Sequence, residues 1–183
     1  MLKPDGIIAA MVTPFTSSQA VDYGAVEEIV EHLVDAGVHG IFALGTNGEF
    51  VSLTEREKLD VATAVVRATR GRVPVYAGTG GIGTRETVQL SEAMQEVGVD
   101  GLSLITPYFM PFTQDEIHTH FAAVARAVSL PILVYNIPSR TGVRVDPDTL
   151  RKLARIPNIV GIKDSSGDLH NVIDYVEATD GEF

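Results

Sequence analysis

The sequence predicts an α/β protein built on a parallel sheet that is buried on both faces. Three observations lead there. Short apolar runs alternate with amphipathic segments six times along the 183 residues. The apolar runs are continuous rather than every-other-residue, as strands covered on both sides require. The connections also differ at the two ends of the runs. Residues 13–15, 45–50, 78–83, 106–112, 136–142 and 164–167 follow the runs at one end, whereas the returns at the other, residues 36–39, 71–72 and 98–100, are short.

The elements follow in order. Residues 6–12 read as the first strand. Residues 22–36 read as a helix, with Val26, Ile29, Val30, Leu33 and Val34 on one stripe and Gly37 just past its end. Residues 40–44 are a second strand. Thr54 then opens a helix with Glu57 three positions on, the spacing of a capping box. Residues 73–77 are a third strand, and a helix over 84–97 is stopped by Gly98. Residues 101–105 are a fourth strand. Thr113 with Glu116 makes a second capping box, and that helix runs to about residue 127. Residues 132–135 are a fifth strand. Asp146-Pro147 opens a helix to about residue 155, with proline at its first position. Residues 159–163 are a sixth strand and residues 168–178 a sixth helix. No linker or low-complexity run interrupts the pattern, so residues 1–183 read as one domain. Two folds fit it: a (β/α)-barrel and a doubly wound open sheet. Both put function in the loops at the carboxyl ends of the strands.

Composition removes several classes of function. There is no cysteine, which excludes disulfides, thiolate catalysis and Cys-ligated metals. A formal net charge of −10 argues against nucleic acid as a partner. His118 and His120 are the only close histidine pair, and residues two apart do not share a helix face, so no metal site is expected. No run approaches the roughly 18 apolar residues of a membrane span. The start is too short for a signal peptide with its cleavage site. A cytoplasmic enzyme is the expectation.

Four places could carry chemistry. Lys163 ends the apolar run Ile159-Val160-Gly161-Ile162. Burial disfavours an ammonium, and the neutral amine is the form that attacks a carbonyl. The alternative is a structural lysine paired with Asp164 or reaching solvent. Tyr135 ends the fifth strand, where its phenol could carry a proton to and from a carbinolamine oxygen; it could equally be a packing residue. Gly45-Thr46-Asn47-Gly48-Glu49 follows the second strand. Its glycines would let backbone N–H groups converge on a carboxylate, and the Thr46 hydroxyl could relay a proton; an ordinary turn has similar composition. Glu49 reads as a structural acceptor. Arg140, in Pro138-Ser139-Arg140-Thr141-Gly142, would suit a substrate carboxylate through a bidentate pair or be a solvated loop residue. Gly78-Thr79-Gly80-Gly81-Ile82-Gly83 matches the dinucleotide fingerprint. However, Asp100 precedes the next strand instead of ending it, and the motif lies in the third unit rather than the first.

The motifs GTNGE, TPYF, YNIPSRTG and GIKDSSG, in this order, resemble the dihydrodipicolinate synthase / N-acetylneuraminate lyase family, from Thr13-Pro14-Phe15 to about Gly167. The resemblance implies a (β/α)8 TIM barrel, and it moves the choice of fold to the barrel. It also implies a class I lyase or aldolase that handles pyruvate, is usually tetrameric and takes an aldehyde or 2-oxo acid as its other substrate. Position by position, Lys163 matches the Schiff-base lysine and Tyr135 the tyrosine that handles protons at the imine. Thr46 matches the relay hydroxyl. The Thr46–Asn47 amides, reached through Gly45, match the cradle for the pyruvate carboxylate. Arg140 matches the arginine that holds the aldehyde's carboxylate in the synthases. No metal or organic cofactor is expected, because the imine is itself the electron sink.

The chain departs from the synthase pattern at four points. Phe109 stands where synthases carry the second tyrosine of TPYY, and Tyr108 is retained but is not the relay position. Asn47 stands where they often carry threonine. Lys163 is followed by Asp164-Ser165-Ser166, as in sugar-acid and oxoglutarate aldolases. Six βα units in 183 residues also fall short of the about 250 typical of eight, so the last two units are expected to be missing and the first and sixth strands to be edges. The leading expectation is 4-hydroxy-tetrahydrodipicolinate synthase chemistry, from pyruvate and aspartate semialdehyde. The alternatives are a 2-oxo-3-deoxy sugar acid or 4-hydroxy-2-oxoglutarate aldolase, and an inactive barrel fragment serving as an assembly module.

Overall fold

The computed structural model describes residues 4–181 and 183; part of the amino-terminal stretch weighed for a signal peptide, and Glu182, lie outside the described residues. The strands are β1 (Ile8–Ala10), β2 (Gly40–Ala43), β3 (Val75–Gly78), β4 (Gly101–Ile105), β5 (Ile132–Asn136) and β6 (Ile159–Asp164). The helices are α1 (Tyr23–Asp35), α2 (Glu55–Thr69), α3 (Thr84–Val97), α4 (Gln114–Ala127), α5 (Pro138–Thr141), α6 (Pro147–Leu153) and α7 (Leu169–Ala178). The sheet has six strands in sequence order, β1-β2-β3-β4-β5-β6. The pairings of β1 with β2, β2 with β3 and β5 with β6 are parallel. Each strand is thus followed by helix and return, the connectivity of the (β/α)-barrel class, with six units present.

The residues group into two compact units. One comprises residues 4–78 and Ala93–Leu102, the other Thr79–Glu92 and Ser103–Phe183. In the first, α1 begins where the Asp22 carboxylate accepts the Ala25 N–H, and it buries Val26 and Val30 completely. The Thr54/Glu57 capping box is formed in both directions at the start of α2, which buries Val61, Ala62 and Val65. These side chains and strand residues such as Ile41, Ala43, Val75 and Ala77 form the core of that unit. Full burial of one such aliphatic side chain contributes about 1.5–3 kcal/mol.

In the second unit, the Thr113/Glu116 box opens α4, whose Ile117, Phe121 and Val124 are buried. Pro147 starts α6, which buries Leu150 and Leu153. On α7, Asn171, Tyr175 and Ala178 are buried, while Leu169, Val172, Ile173 and Val176 form an exposed apolar stripe.

The differences from the sequence expectation have local causes. β1 starts at Ile8, two residues late, because Gly6 takes a positive φ of 67° and packs against the His39 ring. β3 starts at Val75 because Pro74 has no N–H for the ladder. Residues 136–142 read as a loop, yet Pro138–Thr141 close one helical turn, with proline at its start and Gly142 in the left-handed conformation after it. The stretch Phe50–Ser52 adds a 3-10 turn. Among the described residues no helix is long and apolar enough to cross a membrane.

Candidate active site

The clearest convergence of reactive groups lies at the carboxyl ends of β5 and β6. In their register Tyr135 stands opposite Lys163 and Asn136 opposite Asp164. Side chains alternate faces along a strand, so the tyrosine and the lysine share one face and the amide and the carboxylate share the other. The Lys163 Nζ sits 3.5 Å from the centre of the Tyr135 ring, and 3.2 Å from the Ser165 Oγ. Tyr135 is buried and Lys163 half-buried. An amine over a phenol ring, with a second hydroxyl in reach, can add to a carbonyl while a neighbour carries the proton.

On the other face, the Asp164 carboxylate accepts from Asn136 Nδ2 (2.7 Å), Asn171 Nδ2 (3.0 Å) and Ser166 Oγ (2.5 Å). The amine of half-buried Lys163 thus lies beside Tyr135 and Ser165, while the Asp164 carboxylate accepts from neutral donors.

The GTNGE segment is held in the other unit by backbone shape. Leu44, 1% exposed, has a φ of 60°. For a non-glycine residue the left-handed region is strained by about 1–2 kcal/mol. The Leu44 carbonyl is pressed so closely on Gly78 that a Cβ there would lie 2.1 Å from it. Thr13 Oγ donates to the Gly48 carbonyl at 2.7 Å, and the Gly48 and Glu49 N–H groups turn back onto Gly45 and Thr46. Gly45 is buried, Thr46 half-buried and Asn47 exposed. Glu49 is exposed with a φ of 53°. Arg140 is exposed on α5.

The glycine fingerprint has a packing explanation. Besides the Leu44 contact at Gly78, a Cβ on Gly80 would lie 2.3 Å from Ile105 Cγ2 and 2.9 Å from its backbone N. These two glycines are required by neighbouring protein rather than by a dinucleotide.

Phe109 is 84% exposed with a φ of 76°. Burial and the nearby Glu86 push the Tyr108 phenol above its ordinary pKa. His120 is 3% exposed; its Nδ1 pairs with Thr84 Oγ at 2.9 Å, and burial pushes its pKa down to about 4. His118 is half-buried. Among the described residues no group of three or more His, Asp or Glu is placed to hold a metal.

Thus Lys163 and Tyr135 meet, Gly45, Thr46 and Asn47 share one loop, and Arg140 follows β5 on its own turn. Reasoning from sequence missed Ser165, Asn136, Asn171 and Thr13. Ser165 was visible only as a departure from a motif. Asn136 and Thr13 needed contacts far apart in sequence, and Asn171 a contact from α7 back to the end of β6.

Comparison with known proteins bears on all of this. The family profile described as "Dihydrodipicolinate synthetase family" matches residues 3–183. The 4-hydroxy-tetrahydrodipicolinate synthase of Oceanobacillus iheyensis is 38% identical over 177 residues, 97% of this chain and 60% of that protein. The enzyme of the same name from Heliobacterium modesticaldum is 44% identical over 177 residues, 97% of this chain and 59% of the other. Among solved structures, the chloride-inhibited dihydrodipicolinate synthase of Acinetobacter baumannii, complexed with pyruvate, is 40% identical with a TM-score of 0.95, over 97% of this chain and 61% of that one. A prophage protein of the dihydrodipicolinic acid synthase family from E. coli K12, in complex with pyruvate, is 35% identical with a TM-score of 0.93, over 96% of this chain and 59% of that one. The chain spans about 60% of the length of these relatives. With the lysine–tyrosine pair at the ends of β5 and β6, and a match along nearly its whole length, the chain belongs to the dihydrodipicolinate synthetase family.

Proposed function

We propose that this chain carries the Schiff-base centre of a class I pyruvate-dependent lyase, with 4-hydroxy-tetrahydrodipicolinate synthesis from pyruvate and aspartate semialdehyde as its reaction. The observation that carries the reading is the Lys163 amine set 3.5 Å from the Tyr135 ring at the carboxyl end of a strand. In this reading Lys163 Nζ adds to the keto carbon of pyruvate. Tyr135 delivers a proton to the resulting hydroxyl, water leaves, and the imine forms. The imine draws electrons from the adjacent methyl group, which gives up a proton and becomes the enamine carbon nucleophile. That carbon bonds to the aldehyde carbon, whose oxygen takes up a proton to become a hydroxyl, and the amine of the aspartate semialdehyde portion then adds to the imine carbon, closing the ring and displacing the Lys163 amine.

Thr46 relays protons through its hydroxyl. The backbone at Thr46 and Asn47, approached past Gly45, receives the pyruvate carboxylate. Arg140 receives the carboxylate of aspartate semialdehyde. The relatives favour synthase chemistry over sugar-acid cleavage, since those compared by sequence carry the synthase name. A cytoplasmic homo-oligomer, tetrameric as is usual in the family, completes the proposal.

Arg140→Ala tests the substrate assignment. It should cripple turnover with aspartate semialdehyde much more than cleavage of an adduct with a neutral aldehyde. Equal losses in both reactions would remove Arg140 from the aldehyde site.

A further inference from the structure

The pairing of β5 with β6 is irregular. Ile132 stands opposite Ile159, but Leu133 stands opposite Gly161, so the register slips by one residue at Val160. A slip of one residue exchanges the faces of every side chain beyond it. Whether Lys163 or a neighbour stands opposite Tyr135 is therefore decided after the bulge, at the strand ends.

The groups that close those ends are on the face away from the lysine. Asn136 is fully buried; its Nδ2 donates to Asp164 and its Oδ1 accepts the Val145 N–H at 3.1 Å. Asn171, 2% exposed, ties Asp164 to α7. Tyr175 O–H, one turn further along α7, donates to the Val145 carbonyl at 2.5 Å. The Ser165 N–H donates to the Asn136 carbonyl at 2.8 Å, and the Ser165 hydroxyl is the one beside Lys163 Nζ. The ring of bonds thus runs from β5 to β6, to α7, to the segment entering α6, and back to β5.

We propose that Asn136 and Asp164 are positioning residues for the lysine centre: their bond selects, after the bulge, the one register that sets Lys163 against Tyr135, and it ties that register to α7. The proposal rests on the reading of Lys163 given above. It makes the Asp-Ser-Ser sequence after the lysine a structural unit, in which Asp164 and Ser166 lock the strand and Ser165 faces the amine.

A side-chain exchange tests it. Asn136→Asp places two carboxylates against each other and breaks the bond. Adding Asp164→Asn restores a donor and an acceptor with their positions reversed. Two readouts are taken on the full chain, with the thermal midpoint recorded beside them. One is the rate of borohydride-trapped pyruvate attachment to Lys163 at saturating pyruvate. The other, without pyruvate, is the pH profile of Lys163 labelling by a trace acylating reagent, relative to exposed Lys152.

N136D is expected to slow trapping by about tenfold or more, the scale of a small displacement of a reacting group, with a smaller change in the half-saturating pyruvate concentration. It is also expected to move the labelling profile, and the double variant to recover both. An unchanged profile in N136D, or a double variant no better than the single, overturns the proposal. A parent that traps no pyruvate, either as this chain or extended to the full length of its relatives, removes the Schiff-base reading, while the labelling profiles still decide the positioning role. Should N136D not fold, Ser166→Ala removes one donor to Asp164 and should move the same profile less far; no movement contradicts the lock.

Discussion

The loop after β2 and the paired ends of β5 and β6 are built by opposite means. At Gly45–Glu49 the shape is set by backbone: a left-handed Leu44, a glycine at 78 with no room for a Cβ, and one hydroxyl, Thr13, on the Gly48 carbonyl. At Tyr135 and Lys163 the shape is set by side chains, through a ring of hydrogen bonds around Asp164. Backbone strain fixes a peptide against a ligand but tolerates no added atom. A side-chain ring fixes a reactive group and can be rewired by exchanging its members.

The two regions should therefore break differently. The largest effect is expected at Tyr135→Phe, which keeps the ring beside Lys163 and removes the hydroxyl proposed to carry the proton. Steady-state turnover should fall by about 10²–10⁴-fold with little change in thermal midpoint. A parallel loss of stability would mean the hydroxyl is structural. Gly78→Ala acts on the other region. Its Cβ would meet the Leu44 carbonyl at 2.1 Å, and urea titration should show a loss of about 3 kcal/mol or more, at the upper end of overpacking costs.

Acidification acts through a buried histidine. His120 belongs to the unit that holds Lys163, and burial lowers its pKa from 6.5 to about 4. The unfolded chain takes up that proton first, so stability is full above about 6.5 and declines as pH falls towards about 4, by up to about 3 kcal/mol. His120→Gln should flatten that limb of the denaturation profile. Thr54→Ala acts in the unit that holds the GTNGE loop, removing one half of its capping box, at about 1 kcal/mol. The smallest effect is expected at Ile173→Ser, on the exposed stripe of α7, with a change within about 0.5 kcal/mol.

Much of the fold was legible in the sequence because it depends on local signals. Both capping boxes form as the Thr–Glu spacing implies, and α3, α4 and β4 have the bounds their periodicity suggests. The choice between barrel and open sheet was not legible from pattern, since both fold classes share the same repeat; the motifs decided it. Lys163 and Tyr135 were legible because each ends an apolar run in the sequence, and each stands one residue before the end of its strand. Their mutual placement was not, because it depends on a bulge at Val160 and on Asn171, partners that sequence spacing does not connect. The loop that became α5 hid its helix because a single turn has no periodicity to show.

The central claim is that Lys163 is the group that bonds to pyruvate. The protein is mixed with pyruvate, reduced with borohydride and digested, and the modified peptide is read by mass spectrometry. A pyruvate-derived adduct on Lys163, absent in Lys163→Met, is the expected result. An adduct on another lysine, or none in this chain and none in a version extended to the full length of its relatives, would contradict the account.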